Sequence, residues 1–478
     1  MANVMKPTAE ILERISIQSR EEVFTRLYRY MLRPDIYYQA YKNLYANAGA
    51  GTNGIDDDTA DGFGAEKVAR IIEQLRKGSY TPKPVRRTYI PKKNGRLRPL
   101  GIPTFTDKLV QEVLRMILEA VYEPIFLPTS HGFRPKRSCH TALSAMSKSY
   151  RGTRWFVEGD IKAFFDNIDH QILVALISKK VKDARIVQLV NKMLKAGYME
   201  DWQYHGTFSG TPQGGIISPL LANIYLHELD VFMQDMSKHF AKPREQEFTP
   251  AYRSALSKVN AIKWRLKNAK DSVEAKLLIK ELHAARAIMV KIPCKSQTDK
   301  KIVYTRYADD FLIGVNGSKE ECMKIKAAIK NFLSEKLRLE LSEEKTLITH
   351  TAQHARFLGY DVSVRRTGKL KKDKTGRVMR TLNSSVELNI PFADKIERFV
   401  LDKQIAAVKQ GVLKPICRRK LIRLSDLEIL SVYNSELRGI CNYYGLASNY
   451  TRLSYFAYLM EYSCLKTLAS KHQTTTSK

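Results

Sequence analysis

The sequence predicts an α+β chain in which a small antiparallel sheet is assembled from two distant stretches and flanked by helices. Three observations carry that prediction. Residues 302–307 and 311–315 read as two short strands rich in β-branched and aromatic residues, meeting at Ala308-Asp309-Asp310 and closed by Asn316-Gly317. Residues 155–160, Trp-Phe-Val-Glu-Gly-Asp, form another apolar strand that ends on a carboxylate, Asp160. From Pro391 onward the apolar residues recur at helical spacing.

Taken in order, residues 1–48 are expected to be helical, with a break at Arg33-Pro34. Tyr28, Tyr30, Tyr37, Tyr38, Tyr41 and Tyr45 are interleaved there with Arg and Lys, which suits core packing for some and base stacking for the rest. A loop with Gly49, Gly51 and Gly54 ends this unit. Asn94-Gly95 is a hairpin signal joining strands that carry Lys92, Lys93, Arg96 and Arg98. Such a hairpin is either a solvated basic edge or a clamp for a triphosphate. A helix over 107–121 leads to Ser130-His-Gly-Phe-Arg-Pro135. After Asp160 an amphipathic helix presents Ile172, Leu173, Leu176 and Ile177 on one face. The glycine-rich run Ser209-Gly-Thr-Pro-Gln-Gly-Gly-Ile-Ile-Ser-Pro219 follows, with Ser218 expected as N-cap and Pro219 as first helical residue. The helix it starts should bury Leu221, Ile224, Tyr225, Leu229 and Phe232.

Residues 238–301 read as an insertion with 16 Lys or Arg against 6 Asp or Glu and helical periodicity over 250–290. It is either a solvated helical pair or an RNA-binding surface. A helix over 319–335 follows the Asp-Asp hairpin, and Arg356-Phe-Leu-Gly-Tyr360 is expected to open a strand. Residues 361–380, with eight Lys or Arg and two Asp, read as a basic linker or ribbon. A helix is expected over 391–410 with Gly411 as C-cap, and Ser425-Asp-Leu-Glu428 has capping-box spacing for a helix through 444. A last helix covers 451–471.

With 478 residues the chain should hold two or three domains, and its 44% hydrophobic content argues against wholesale disorder. Its formal net charge of +31 is the footprint of a polyanion ligand, most simply nucleic acid. A basic membrane-surface protein is the competing reading. No apolar run approaches a membrane span, and no apolar signal segment follows Met1, so no membrane partner is expected. The six cysteines are scattered, which fits free thiols in a reducing cytoplasm and offers no zinc site.

Adjacent carboxylates at a hairpin tip repel each other, and a hard divalent cation such as Mg²⁺ relieves that repulsion. An isolated Asp-Asp turn would more simply be solvated, but here both flanks are apolar. Asp160 could be a helix cap; at the end of an apolar strand it is also the natural third carboxylate for the Asp309-Asp310 tip. Three carboxylates can hold two Mg²⁺ ions about 3.5–4 Å apart.

The ordered set of Lys92 to Arg98, Asp160, Pro212-Gln213-Gly214, Tyr307-Ala-Asp-Asp310, Lys345 and Leu358-Gly359-Tyr360 resembles the reverse transcriptases. More narrowly, Arg98-Pro-Leu-Gly-Ile-Pro103, His131-Gly-Phe-Arg-Pro135, Gly210-Thr-Pro-Gln-Gly-Gly-Ile-Ile-Ser-Pro219 and the Tyr433–Tyr444 run resemble the reverse transcriptase-maturases of group II introns. The resemblance implies a right-hand polymerase fold, fingers and palm carrying the catalytic Asp residues on an antiparallel sheet, followed by an all-helical thumb or maturase domain. It implies an N-terminal extension over 1–58, fingers and palm over 59–365 with the insertion 238–301, a basic linker over 366–390 and the maturase domain over 391–478. By the same resemblance Asp160, Asp309, Asp310 and the Ile161 backbone hold two Mg²⁺ ions, and Lys345 protonates the leaving pyrophosphate. Lys92 and Arg98 contact the incoming deoxynucleoside triphosphate, Gln213 lies against the nascent base pair or its nucleotide, Gly214 belongs to the same substrate-binding set, and Phe165 gates against a 2′-hydroxyl. Leu358, Gly359 and Tyr360 grip the primer.

The implied function is RNA-directed DNA polymerisation together with binding of the host group II intron RNA, assistance to its splicing, and retrotransposition. The implied partners are that intron RNA, an RNA template with a DNA primer, and target DNA. Many members of the family continue into a DNA-binding segment and a Cys-rich HNH endonuclease, whereas this chain ends soon after Lys471-His472, so no endonuclease activity is expected of it. Two other readings share the motifs: a reverse transcriptase of a host defence or other non-intron system, and an RNA-binding splicing cofactor that acts mainly without polymerisation.

Overall fold

The computed structural model describes residues 7–476 except 48, 50, 92–94, 96, 208, 212–213, 244–246, 270, 293, 295–298, 368, 373, 375–377 and 382. Lys92 and Gln213, both expected at the nucleotide, therefore lie outside the described residues, as does Asn94 of the hairpin turn. The expected α+β architecture is present. At its centre is a four-stranded sheet in the order Lys301–Tyr307, Asp310–Asn316, Trp155–Gly159, Ile348–His350. All its pairings are antiparallel, with Tyr307 opposite Asp310 and Gly159 opposite Phe311. That register puts Asp160, the next residue after Gly159, beside the tip that carries Asp309 and Asp310. Gly159 is required there, because a Cβ would come within 2.1 Å of the Phe311 ring.

A second sheet contains the expected basic hairpin, Val85–Pro91 against Leu97–Ile102, with Arg98 opposite Ile90. Val85 also pairs in parallel with Tyr198, which ties the hairpin to the ribbon Tyr198–Glu200 and Gln203–His205. The third sheet has the order Val386–Asn389, Tyr360–Val364, Ala355–Phe357. The basic stretch is thus a ribbon, Leu370–Lys372 paired with Val378–Arg380, whose chain then returns to pair with Tyr360–Val364.

One large core joins the N-terminal helices Thr8–Gln18 and Pro34–Tyr45 to the helix Phe105–Tyr122 and to one side of the central sheet. Tyr28, Tyr30 and Tyr37 belong to this core, and Tyr41 stacks on Phe63 at 4.0 Å; only Tyr38 and Tyr45 remain exposed for stacking on a base. A second core runs from Phe156 and Leu312 of the central sheet through Tyr360 and Val362 into the helices Asp426–Tyr443 and Leu453–Lys471. The insertion has a small core of its own, in which Val259 and Ile262 of Pro250–Lys267 meet Leu278 and Leu282 of Ser272–Lys291.

Several local expectations are corrected. The helix expected to begin at a Ser218 cap is capped at Ile217, so Ser218 is its first residue and is buried; the helix runs Ser218–Phe240. Asp160 caps no helix; Asp169 does that, accepting from the amides of Gln171 and Ile172. The expected strand does open at Tyr360, as Tyr360–Val364, but Arg356 and Phe357 belong to the preceding strand Ala355–Phe357, and Leu358 at φ 46° with Gly359 at φ 72° makes the hairpin turn between the two. The expected helix over 391–410 stops at Asp402, and Ala406–Lys409 pairs with Val412–Pro415 as a hairpin. Gln410 and Gly411 both have positive φ, the requirement of a two-residue hairpin turn, so Gly411 turns a hairpin instead of capping a helix. The C-terminal unit is accordingly not all-helical.

The Asp-Asp hairpin is anchored from below. Arg306 and Asp230 are both 0% exposed and pair bidentately, Nε to Oδ1 at 2.7 Å and Nη2 to Oδ2 at 2.6 Å. The remaining guanidinium N–H groups donate to Asn223 Oδ1 at 3.1 Å, Ser130 Oγ at 2.9 Å and the Ala308 carbonyl at 3.0 Å. Asp230→Asn leaves that guanidinium buried without its counter-charge. Chemical denaturation should show stability falling by about 3–5 kcal/mol.

Candidate active site

The Asp-Asp turn opens into a cleft of about 1070 Å³. Its lining brings together eight residues expected at the site from far apart in sequence: Arg98, Asp160, Ile161, Phe165, Gly214, Asp309, Asp310 and Lys345. Leu358, Gly359 and Tyr360 do not line it; they form a separate turn backed by the C-terminal helices.

Each wall has a local cause. Ala308 takes φ 57°, a left-handed conformation unfavourable for a residue with a Cβ, which lets one tight turn project two consecutive carboxylates. The Arg306 bond to its carbonyl holds it there. On the other side the His131 amide donates to the Arg306 carbonyl at 2.9 Å, which draws the His131–Arg134 stretch against the turn. Gly132 passes so close that a Cβ would lie 2.3 Å from the Ala308 nitrogen, and Asn223 Nδ2 holds the Gly132 carbonyl at 2.8 Å. The structure thereby explains a motif whose role was not legible as chemistry.

Below Asp160 the chain turns through Ala163 at φ 46° into the short 3₁₀ segment Phe164–Asp166. Phe164 points into the core and Phe165, half-buried, borders the cleft. The glycine-rich run docks on this segment, with the Thr211 amide donating to the Phe165 carbonyl and the Gly210 amide to the Ile168 carbonyl, both at 2.8 Å. Gly210 has φ 85°, and a Cβ there would meet the Phe165 and Asp166 carbonyl oxygens at 2.8 Å.

Charge is distributed unevenly. Asp310 faces the open cleft, yet surrounding protein removes enough water to push its carboxyl up to about 6, helped by repulsion from Asp309 and Asp160. Asp309 is raised for the same reasons, burial first. Lys345 Nζ bonds Asp160 Oδ2 at 2.8 Å, and that bond raises the lysine pKa. As the side chains stand, no three acidic, His or Cys groups among the described residues are close enough to share one ion. The donors are nonetheless all oxygen and mutually repelling, which suits a hard cation.

The Leu358-Gly359 turn is clamped by the C-terminal unit. Tyr443 donates its hydroxyl to the Leu358 carbonyl at 2.8 Å, Tyr444 donates to the Gly359 carbonyl at 3.3 Å, and Tyr360 donates to the Tyr443 carbonyl. His140 Nε2 lies 2.8 Å from the same Tyr443 carbonyl. Sequence reasoning missed the supporting residues Arg306, Asp230 and Asn223. The available signal was a guanidinium inside an otherwise apolar strand, whose only tolerable environment is a buried acid.

Residues 90–249 and 278–362 match the family described as reverse transcriptase (RNA-dependent DNA polymerase), and residues 383–478 match type II intron maturase. The chain is 60% identical over 480 residues to the group II intron-encoded protein LtrA of Lactococcus lactis subsp. cremoris, covering 99% of this chain and 80% of that protein. It is 34% identical over 469 residues to the putative COX1/OXI3 intron 1 protein of Saccharomyces cerevisiae, covering 96% of this chain and 54% of that one. Against protein YkfC of Escherichia coli the identity is 32% over 344 residues, 70% of this chain and 82% of the other. With motifs, sheet register and cleft in agreement with these matches, the chain belongs to the reverse transcriptase-maturases encoded by group II introns.

Proposed function

We propose that the cleft extends a DNA primer on an RNA template, with two Mg²⁺ ions held by Asp160, Asp309, Asp310 and the Ile161 carbonyl oxygen. The observation that carries this reading is the convergence of three carboxylates from two strands with Arg98 and Lys345 in one cleft. When bound, such ions activate the primer hydroxyl and neutralise charge on the leaving pyrophosphate. Arg98 binds the triphosphate through its fork of donors. Lys345 neutralises Asp160 in the resting cleft and, when Asp160 changes partner, supplies a proton to pyrophosphate. Phe165 stands where a ribose 2′-hydroxyl would collide, and Gly214 lets the backbone approach the nucleotide. The Leu358–Tyr360 turn supports the primer.

In this reading the chain is a right hand. Residues 59–365 are fingers and palm, with the insertion 238–301; 391–478 are the thumb and maturase unit; 1–58 extend the template side; and 366–390 connect the two. The basic surfaces hold group II intron RNA during splicing and retrotransposition, and target DNA is the further partner.

Asp309→Asn should reduce Mg²⁺-dependent primer extension on an RNA template by more than about 100-fold, the upper end of what even outer-shell metal partners cost. Undiminished synthesis would refute the assignment. Phe165→Val should raise incorporation of ribonucleotides relative to deoxynucleotides, read by extension with each triphosphate alone. The elevated Asp310 carboxyl makes the folded state hold a proton that the unfolded chain releases, from the usual 3.8 up to about 6. Stability without divalent cation should therefore fall as pH rises through that window. Asp310→Asn should then melt above the parent at pH of about 7–8 in EDTA, with the difference gone near pH of about 3.5.

A further inference from the structure

A second cleft, of about 660 Å³, lies at the opposite end of the central sheet from the carboxylates. The strand Trp155–Gly159 separates the two regions: Asp160 follows one end, and Thr153, just before the other, accepts from Arg366 Nη2 at 2.8 Å. At about 3.3 Å per residue this places Arg366 on the order of 20 Å from the reacting end.

The cleft is lined by His354, Arg365, Arg366, Lys369, Lys371 and a single carboxylate among its described residues, Glu387. That carboxylate is already engaged, accepting from Arg365 Nε at 2.6 Å. Three cationic heads therefore face the cleft with no carboxylate among its described residues left to pair with. Burial and the like charge of Arg154 hold the Arg366 pKa below the usual arginine value, a cost that an anion would relieve. Lys371 lies in the strand Leu370–Lys372 and Lys369 immediately precedes it; both line the cleft, and two extended residues span about 7 Å. A row of cations at that spacing matches a repeating anion better than a single small one. The facing strand of the ribbon, Val378–Arg380, packs against the helix Ser272–Lys291 of the basic insertion, which continues the positive surface.

We propose that this cleft binds the phosphodiester backbone of the intron RNA, at a place separate from template and primer. The inference rests on the intron-RNA part of the function proposed above and not on the polymerase chemistry. The test uses the full chain, with Arg366, Lys369 and Lys371 all changed to Gln. Two probes are titrated: the intron transcript that carries this reading frame, and a short RNA template annealed to a DNA primer.

The expected result is weaker binding of the intron transcript and a log affinity–log salt slope shallower by about 2, at about 0.7 for each phosphate no longer neutralised. Primer extension on the short duplex should be unchanged, which reports the polymerase reading separately. A paired variant, Lys369→Arg with Lys371→Arg, should retain intron binding, and thermal melting of both variants checks folding of these exposed positions. Unchanged intron affinity and slope would overturn the proposal. Equal weakening on the primer–template duplex would also overturn it and assign the cleft to the path of the polymerised strand.

Discussion

Everything at the catalytic end hangs on the Arg306–Asp230 pair. A fully buried guanidinium is tolerable only when all its donors are met, and here each one is. The acceptors come from the long helix, the Ser130 loop and the turn itself. Their spacing therefore sets where Asp309 and Asp310 stand relative to Asp160. A buried ion pair adds little net stability compared with well-packed apolar residues, so the value of this one lies in placement. Its satisfaction also supports the left-handed Ala308, which would otherwise be a poor choice for two adjacent carboxylates.

Around that anchor the protein accumulates charge of opposite sign at two ends of one sheet. At the Asp160 end, carboxylates crowd until burial and mutual repulsion lift them, and Lys345 offsets part of the strain. At the Arg154 end, cations gather in a cleft whose one described carboxylate is already used. Each cluster is unfavourable for the isolated protein and favourable for a ligand of the other sign. The free energy that folding concedes at both places is recoverable on binding.

The C-terminal helices are not a separate appendage. Their core continues into the central sheet through Phe156 and Leu312, and Tyr443 and Tyr444 close directly on the Leu358-Gly359 turn. The unit that matches type II intron maturase therefore packs directly on the turn that the proposed function assigns to the primer.

What the sequence determined by itself was local and chemical. The alternation of apolar residues around Asp309-Asp310, the strand ending at Asp160 and the capping box at Ser425 are all settled within a few residues, because turn chemistry and pleat period act at short range. Six of the eight residues found in the cleft, Arg98, Asp160, Gly214, Asp309, Asp310 and Lys345, were likewise readable in an ordered set of motifs, while Ile161 and Phe165 came only from the resemblance. Gly411 was misread because a helix C-cap and a hairpin turn both favour glycine at positive φ, and Ser218 was placed one position early because Ile217 occupies the cap position. The side-chain partners of the Arg306 guanidinium lie 76 to 176 residues away in sequence, and no local pattern specifies which acid will face a buried base. Tertiary structure alone decided that choice, since the energy of a buried charge depends on everything that surrounds it.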